Sequence, residues 1–88
     1  MTIWKWELKT TDEQTILMPL GARLLTVQVQ NGVPCIWALV NPTANQIERR
    51  FGVYGTGNPV PDEVGEYVAT YQLADGRLVF HVFDRGPA

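Results

Sequence analysis

Apolar and polar residues alternate with a period of two through most of this chain, and that alternation limits its fold more than any other feature. In residues 3–9, IWKWELK, Trp4, Trp6 and Leu8 occupy one side of an extended chain and charged residues occupy the other. No window shows the apolar spacing of i, i+3, i+4 and i+7 that an amphipathic helix requires. Such alternation is typical of a sheet with one buried face, so we predict an all-β domain.

Seven segments carry this pattern, and turn-forming residues separate them. The predicted strands cover residues 3–9, 15–19, 22–30, 34–40, 47–55, 66–74 and 77–84. A chain of 88 residues wraps one core, so we expect residues 1–88 to form a single β domain. Seven short strands at this spacing predict a small sandwich or partly closed barrel of mainly antiparallel strands. The last strand is apolar on both faces and is expected at the centre of a sheet, and Gly52 indicates a bulge or a close backbone approach.

Three turns are expected to join neighbouring strands as hairpins. The Asn-Gly pair at 31–32 can adopt the two positive φ angles of a type I′ turn. The Asp-Gly pair at 75–76 predicts a second hairpin between the last two strands. The short connection at Gly21 predicts a third hairpin, between residues 15–19 and 22–30.

Composition excludes several classes of partner. Only 18% of the residues are charged, 45% are apolar, and the formal net charge is −2. Because no basic run exceeds the pair Arg49-Arg50, we expect no binding to duplex nucleic acid. No apolar stretch is long enough to cross a membrane and no leader is recognisable at the start, so we expect a cytoplasmic protein. One cysteine and one histidine cannot form a zinc cluster, and we expect neither a metal nor a cofactor.

Few residues are placed for catalysis. A nucleophile needs a base within hydrogen-bond reach, and the chain contains no serine. The only histidine, His81, lies among apolar neighbours in LVFHVF, which favours a satisfied histidine in the core or at an interface. Cys35 also has apolar neighbours and is expected to pack as a small apolar residue. The acidic residues of segment 62–66 are interpreted as solvated, and we expect a protein that is not an enzyme.

The stretch YGTGNPVP, residues 54–61, is the first candidate binding element. Gly55 and Gly57 let the main chain approach a ligand closely, and Thr56 adds a hydroxyl group, so backbone N–H groups would be available to an anion. The stretch lacks the spacing of a P-loop and no helical pattern follows it. The alternative is a wide turn between two hairpins, although longer loops more often carry function.

Polar residues on neighbouring strands extend this candidate site. Arg49 and Arg50 lie just upstream of the loop, and guanidinium groups suit phosphate. Tyrosine can stack on a base, and glutamine amides can hydrogen-bond to its edge. The plain alternative is that glutamine and threonine form the wet side of a sheet. The predicted ligand-binding residues are Gln28, Gln30, Arg49, Arg50, Tyr54, Gly55, Thr56, Gly57, Asn58 and Gln72.

Tryptophan supports a different interpretation, a surface for a protein partner. The chain has three tryptophans, and aromatic residues anchor interfaces. Trp4 and Trp6 would then belong to a strand that pairs at an exposed sheet edge with a second copy or another protein. The alternative is that both side chains fill the core. A symmetric homo-oligomer is compatible with all of these interpretations, and we expect one.

Four stretches carry a further signal: LLTVQVQNGVPCIWALV at 24–40, YGTGNPVP at 54–61, YVATYQ at 67–72 and LVFHVFD at 78–84. Together they resemble a family of small proteins, without an assigned activity, that tailed bacteriophages and their prophages encode. The pattern expected in that family is an SVQVQ strand, an LWALV strand, a GTGH loop and a VFHVF strand. This chain departs from it at Thr26, Ile36 and Asn58, and the last change removes an imidazole from the loop.

The resemblance implies a phage accessory protein that acts against bacterial defence in the host cytoplasm. Such a protein would bind and sequester a small nucleotide-like immune signalling molecule without cleaving it, using the loop and the nearby arginines. One alternative is an inhibitor or adaptor that binds a host defence protein through an aromatic strand edge. Another is a structural or assembly protein of the phage.

Overall fold

The computed structural model describes all 88 residues as seven strands in two antiparallel sheets. The strands are β1 (Thr2–Glu7), β2 (Gln14–Pro19), β3 (Arg23–Gln30), β4 (Val33–Val40), β5 (Gln46–Gly55), β6 (Glu66–Leu73) and β7 (Leu78–Pro87). One sheet has the order β1-β4-β3 and the other the order β2-β5-β7-β6. The sheets pack together without closing into a barrel, so the all-β prediction is confirmed in its sandwich form. No helix long and apolar enough to cross a membrane is present.

The alternation of the sequence places one apolar side of each strand in the layer between the sheets. Ile36, Ala38 and Val40 of β4 are fully buried there, and so is Phe51 of β5. Full burial of an isoleucine, valine or phenylalanine side chain contributes about 1.5–3 kcal/mol. The buried core comprises Leu8, Ile16, Met18, Ala22, Val27, Ile36, Ala38, Val40, Phe51, Val53, Tyr71 and Val82.

The two N-terminal tryptophans belong to this interior. Trp4 and Trp6 are half-buried and pack against the core, with ring centroids 6.2 Å apart in an edge-to-face arrangement. They therefore fill the space between the sheets, which is the second of the two alternatives for these residues. Their strand, β1, still lies at one edge of its sheet.

The last strand is central, as its apolar residues on both faces predict. β7 lies between β5 and β6. Val82 points into the core and is fully buried, whereas the flanking His81 and Phe83 point outward, opposite Tyr54 and Gly52 of β5. β7 therefore has hydrogen-bonded neighbours at both edges and packed side chains on both faces, which makes it the central strand of this sheet.

A β-bulge near the end of β7 changes the direction of one arginine. The register of β5 against β7 shifts between Arg50 and Phe51, which leaves Arg85 as the extra residue. A bulge breaks the alternation and re-aims the side chain of its extra residue. Arg85 reaches Glu13, just before β2, and its Nη1 donates to Oε1 of that carboxylate at 3.0 Å.

Two of the three predicted hairpins are confirmed. Asn31 and Gly32 have φ angles of 52° and 80°, and two positive values match a type I′ turn between β3 and β4. β6 and β7 also form a hairpin. Because Leu73 pairs with Leu78, its turn covers residues 74–77 and is wider than the Asp-Gly pair alone.

The third predicted hairpin, between residues 15–19 and 22–30, is wrong. β2 pairs with β5 in one sheet and β3 pairs with β4 in the other, so residues 20–22 carry the chain from one layer to the next. The Leu20 N–H donates to the Asn45 carbonyl at 2.8 Å, which ties this connection to the segment before β5. A short connection fits a hairpin or a corner between sheets, and only the distant pairing partners distinguish them.

Candidate functional site

The sandwich has two outer faces, which collect different side chains. We define the loop face as the outward side chains of the four-stranded sheet together with residues 56–65, the loop between β5 and β6. Its outward side chains include Thr15, Leu17, Glu48, Arg50, Tyr54, Tyr67, Thr70, Gln72, Val79, His81 and Phe83. We define the open face as the outward side chains of the three-stranded sheet. These are Ile3, Lys5, Glu7, Arg23, Thr26, Gln28, Gln30, Val33, Cys35, Trp37 and Leu39.

The predicted binding loop begins with a tight turn that is fixed to β7. The Thr56 N–H donates to the Val79 carbonyl at 3.1 Å, and the Asn58 N–H donates to the Gly55 carbonyl at 3.0 Å. Gly57, with a φ of +87°, keeps the one amide of residues 56–58 that makes no hydrogen bond within the protein. The turn therefore offers an anion one backbone donor, fewer than its two glycines had indicated.

Tyr54 lies beneath the continuation of this loop. Its side chain and residues 59–61 border one cavity of about 550 Å³, and Tyr54 is only 4% exposed. A Cβ on Gly52 would lie 2.6 Å from Cε2 of Tyr54, so the ring occupies the space above this glycine. Gly52 was predicted to mark a bulge or a close backbone approach; it pairs regularly with Phe83, and the group that approaches it closely is an aromatic side chain and not backbone.

His81 is the centre of a hydrogen-bonded row of hydroxyl groups. Its Nε2 lies 2.7 Å from Oγ1 of Thr56, and its Nδ1 lies 3.0 Å from Oγ1 of Thr70. The Thr70 hydroxyl in turn lies 2.7 Å from the hydroxyl of Tyr67. In a neutral imidazole one ring nitrogen donates and the other accepts, so both nitrogens are satisfied. His81 is a satisfied histidine, and it lies on an outer face, half-exposed.

Three aromatic rings form a line across the loop face. The ring of Phe83 lies between Tyr54 at 6.2 Å and Tyr67 at 5.9 Å, measured between centroids. Tyr67 is 60% exposed, so it is the ring that a planar ligand would contact. Sequence reasoning selected Tyr54 and missed Tyr67 and Phe83, because only the cross-strand register of β5, β7 and β6 brings the three together.

Two arginines border one cavity at the other end of the loop face, and one of them, Arg85, is paired there with Glu13. Arg50 and Arg85 border a cavity of about 110 Å³, together with Thr15 and Glu13. Arg50 donates through Nη2 to the Arg85 carbonyl at 3.2 Å, which leaves most of its five N–H donors free. Sequence reasoning missed Arg85 because the last predicted strand ended at residue 84, and a bulge cannot be predicted from alternation.

Arg49 points the opposite way, into the space between the sheets, and is not a free cation. Its Nε and Nη2 donate to the two carboxylate oxygens of Asp84 at 3.2 and 2.5 Å, and its Nη1 donates to the Ala22 carbonyl at 2.6 Å. The two side chains are 17% and 14% exposed. This bidentate pair links β5, β7 and the connection before β3, so the role of Arg49 is structural.

Asp84 is held in its charged form by that pair. Burial acts to raise the pKa of Asp84, but the hydrogen bonds from Arg49 and from the Gly86 N–H, with the positive charge of Arg49, outweigh it and lower the pKa. The Gly86 N–H lies 3.0 Å from Oδ1. The same carboxylate therefore anchors Arg49 and the backbone of the bulge that presents Arg85.

The glutamines divide between the faces. Gln72 lies on the loop face and borders a cavity beside the turn of the last hairpin. Gln28 and Gln30 lie on the open face, where Oε1 of Gln30 accepts a hydrogen bond from the Lys5 ammonium at 2.6 Å. The residues that the structure brings to the loop face are Arg50, Tyr54, Thr56, Gly57, Asn58 and Gln72, and Gly55 ends β5 directly before the loop. Arg49, Gln28 and Gln30 lie elsewhere.

Acidic, cysteine and histidine side chains nowhere gather in a group that could hold a metal ion. The whole chain, residues 1–88, matches one family model, described as a domain of unknown function, DUF7352. No curated protein and no solved structure matches the chain.

Proposed function

The chain belongs to the DUF7352 family, a domain of unknown function, and we propose that it binds a small nucleotide-like ligand on the loop face and holds it without cleaving it. The phosphate would lie between Arg50 and Arg85, and the planar base would lie against Tyr67. The setting we propose is that of a phage accessory protein that sequesters an immune signal in the host cytoplasm.

The observation that carries this proposal is the cavity shared by Arg50 and Arg85. Its volume of about 110 Å³ suits a compact group such as a phosphate better than a whole small molecule, since complete ligand pockets measure about 300–1,000 Å³. Arginine presents a planar fork of donors that matches phosphate oxygens. The neighbouring Thr15 adds a hydroxyl group to the same cavity.

The register of the sheet sets the length of ligand that the face can take. Arg50 on β5 and Tyr67 on β6 are separated by one strand, β7, and two strand spacings are about 10 Å. Along the strands Arg50 and Tyr67 are offset by a further two residues, because Phe83, which pairs with Tyr67, pairs on its other side with Gly52. Beyond Tyr67, the Thr70 hydroxyl and His81 can exchange hydrogen bonds with polar atoms at the edge of a base.

The surroundings of His81 favour retention of the ligand over its hydrolysis. Both ring nitrogens are paired with threonine hydroxyls, so neither contacts a carboxylate that would orient the ring as a general base. General-base catalysis by histidine depends on such an orienting partner in the familiar triads. The same hydroxyl groups serve well as neutral donors and acceptors for a bound ligand.

Native mass spectrometry tests the proposal. The protein is purified from bacteria with active immune signalling, and its native mass is compared with its denatured mass. We expect an added mass of a few hundred daltons per chain that denaturation releases and that absorbs near 260 nm, as a nucleobase does. Arg50→Ala with Arg85→Ala should remove it, whereas Arg77→Ala, an exposed arginine on the 74–77 turn, should retain it. Ligand retained by the double variant would rule out this phosphate site.

A second candidate is an inhibitor or adaptor that binds a host defence protein along β1. The observation in its favour is that β1 is an edge strand with Ile3 57% exposed, and an unpaired strand edge accepts another strand. In that case the protein would carry no small molecule, and the Arg50 and Arg85 substitutions would leave capture of the host protein unchanged. Presence of the chain in purified phage particles would favour a structural or assembly role instead.

A further inference from the structure

The open face carries an apolar column that neither the core nor the loop face uses. The outward residues of β4, its central strand, are Val33, Cys35, Trp37 and Leu39. Beside this column Ile3 is 57% exposed, and Val33 within it is 38% exposed. Trp37 is half-buried, unlike its inward neighbours Ile36 and Ala38, which are fully buried.

Polar side chains border this column on both sides. Lys5 and Glu7 lie on β1, and Thr26 and Gln28 lie on β3. The Lys5 ammonium reaches Gln30 on the far strand, so the Lys5 side chain crosses β4 and covers part of the column. An apolar centre with a polar rim is the usual composition of a protein interface.

We propose that a second copy of this chain stacks on the open face about a two-fold axis. The molecule measures 40 × 31 × 15 Å, so only its two broad sides are large enough to bury the roughly 800 Å² per partner of a standard interface. The loop face presents the largely unpaired guanidinium of Arg50 and the hydroxyl groups beside His81, with exposed Leu17 and Tyr67 among them. On the open face the outward residues of the central strand, β4, are all apolar, and a small domain gains most from covering such a centre.

The charges on β1 are complementary to themselves under this symmetry. Lys5 lies in the row of Trp37, and Glu7 lies in the next row, with Cys35. A two-fold axis parallel to the sheet and midway between the copies, perpendicular to the strands and level with the gap between these rows, sets residue 5 of each copy opposite residue 7 of the other. The Lys5 ammonium would then exchange Gln30 for Glu7 of the second copy. The same operation places Trp37 over Cys35 of the second copy. Because a two-fold contact is isologous, each favourable pair occurs twice.

Charge exchange tests this arrangement directly. We expect sedimentation equilibrium to give a dimer of the 9.9 kDa chain at micromolar concentrations. Lys5→Glu alone, or Glu7→Lys alone, sets like charges opposite each other twice per dimer and should raise the dissociation constant about tenfold or more. The double variant, Lys5→Glu with Glu7→Lys, restores opposite charges and should restore the dimer. Arg77→Glu, the same charge change away from the open face, is the matched control and should have no effect.

An apolar variant tests the centre of the same surface. Ile3→Asp changes an exposed side chain, so the fold should survive, as circular dichroism would verify, while the dimer weakens. A wild-type chain that stays monomeric would overturn the proposal. A dimer that tolerates Lys5→Glu and Ile3→Asp as well as it tolerates Arg77→Glu would also overturn it, and would place the contact at another surface such as the free strand edges. Because the ligand assay uses Arg50 and Arg85, either proposal can fail without the other.

Discussion

The loop face and the open face are built from the same alternation, yet the cross-strand register gives them opposite chemistry. Across β5, β7 and β6 the outward positions collect an imidazole, a threonine hydroxyl and the exposed Arg50, beside the half-buried Arg85. Across β1, β4 and β3 they collect an apolar column with charged residues on both flanking strands. In a sandwich of two layers every strand gives one side to the core, so the two outer faces remain available for different tasks.

The difference arises mostly from departures from regular β structure. On the loop face, Gly52 makes room for Tyr54, a bulge turns Arg85 outward, and the ten-residue connection brings Thr56 to His81. The three-stranded sheet also has an irregularity, a register shift at Leu25, but it lies on an edge strand, β3. Irregular positions of this kind tend to occur beside functional sites, which agrees with placing the ligand on the loop face.

The greatest loss of stability is expected from substituting an arginine of the interior, and the matching arginine on the loop face should show almost none. Arg49 and Arg50 are neighbours in the chain, but one is paired between the sheets and the other lies on the loop face. Arg49→Ala leaves the Asp84 carboxylate without its partner, and we expect it to lower the free energy of unfolding by about 3 kcal/mol. Arg50→Ala should lower it by less than about 0.5 kcal/mol. Urea unfolding of both variants measures the contrast, and equal losses would contradict the structural role of Arg49.

A smaller loss of stability is expected from a substitution that disturbs the loop face and leaves the open face intact. In Gly52→Ala the new methyl group would meet the Tyr54 ring at 2.6 Å, and we expect a loss of about 1–2 kcal/mol from overpacking. Limited proteolysis should then cleave within residues 56–65. Gly55→Ala is the matched control, because its nearest neighbour is the amide end of Asn58 at 2.9 Å, which can rotate away.

If both glycine variants proved equally stable and equally resistant to protease, Tyr54 would not be what secures the loop. Dimerisation can be measured on the same variants as a second test. We expect Gly52→Ala to leave the sedimentation behaviour unchanged, because the open face lies on the other sheet. A dimer lost together with the loop would mean that the two faces are coupled.

Much of the fold follows from local pattern, whereas the site depends on long-range register. The strands and the type I′ turn at Asn31 and Gly32 were predictable because alternation and turn chemistry involve neighbouring residues. The partner of β2 was not predictable, since Pro19 and Gly21 fit a hairpin as well as a corner between sheets.

Within the site the same limit applies. Alternation correctly separates Arg49 from Arg50, but nothing local shows that Arg49 pairs with a carboxylate 35 residues away. The two threonines that satisfy His81 are 25 and 11 residues distant in sequence. Arg85 was missed for another reason, because its direction is set by a bulge.

The stability of the protein should also depend weakly on pH through Asp84, whose carboxylate supports the loop face and not the open face. The pKa of Asp84 is lowered in the folded protein, so as the pH falls the unfolded chain takes up this proton first, near its ordinary value of about 3.9. The stability that Asp84 contributes is therefore present above that value and is lost as the pH falls through the lower folded-state pKa. The loss should be smaller than in Arg49→Ala, since a protonated carboxyl still accepts a hydrogen bond.

Protonation of Asp84 should act on the loop face and leave the open face unchanged. Oδ1 of Asp84 holds the Gly86 N–H at 3.0 Å, and this contact fixes the bulge that presents Arg85. In an NMR titration between pH 7 and pH 3, we expect the amide shifts of residues 84–86 to move only at the acid end, because the pKa of Asp84 is lowered. Val33 and Trp37 on the open face should show no change with the same midpoint. Asp84→Asn is the control, and its shifts should not follow this titration. Simultaneous changes on both faces would show that the protein loses its fold as a whole, and that the carboxylate does not govern the loop face separately.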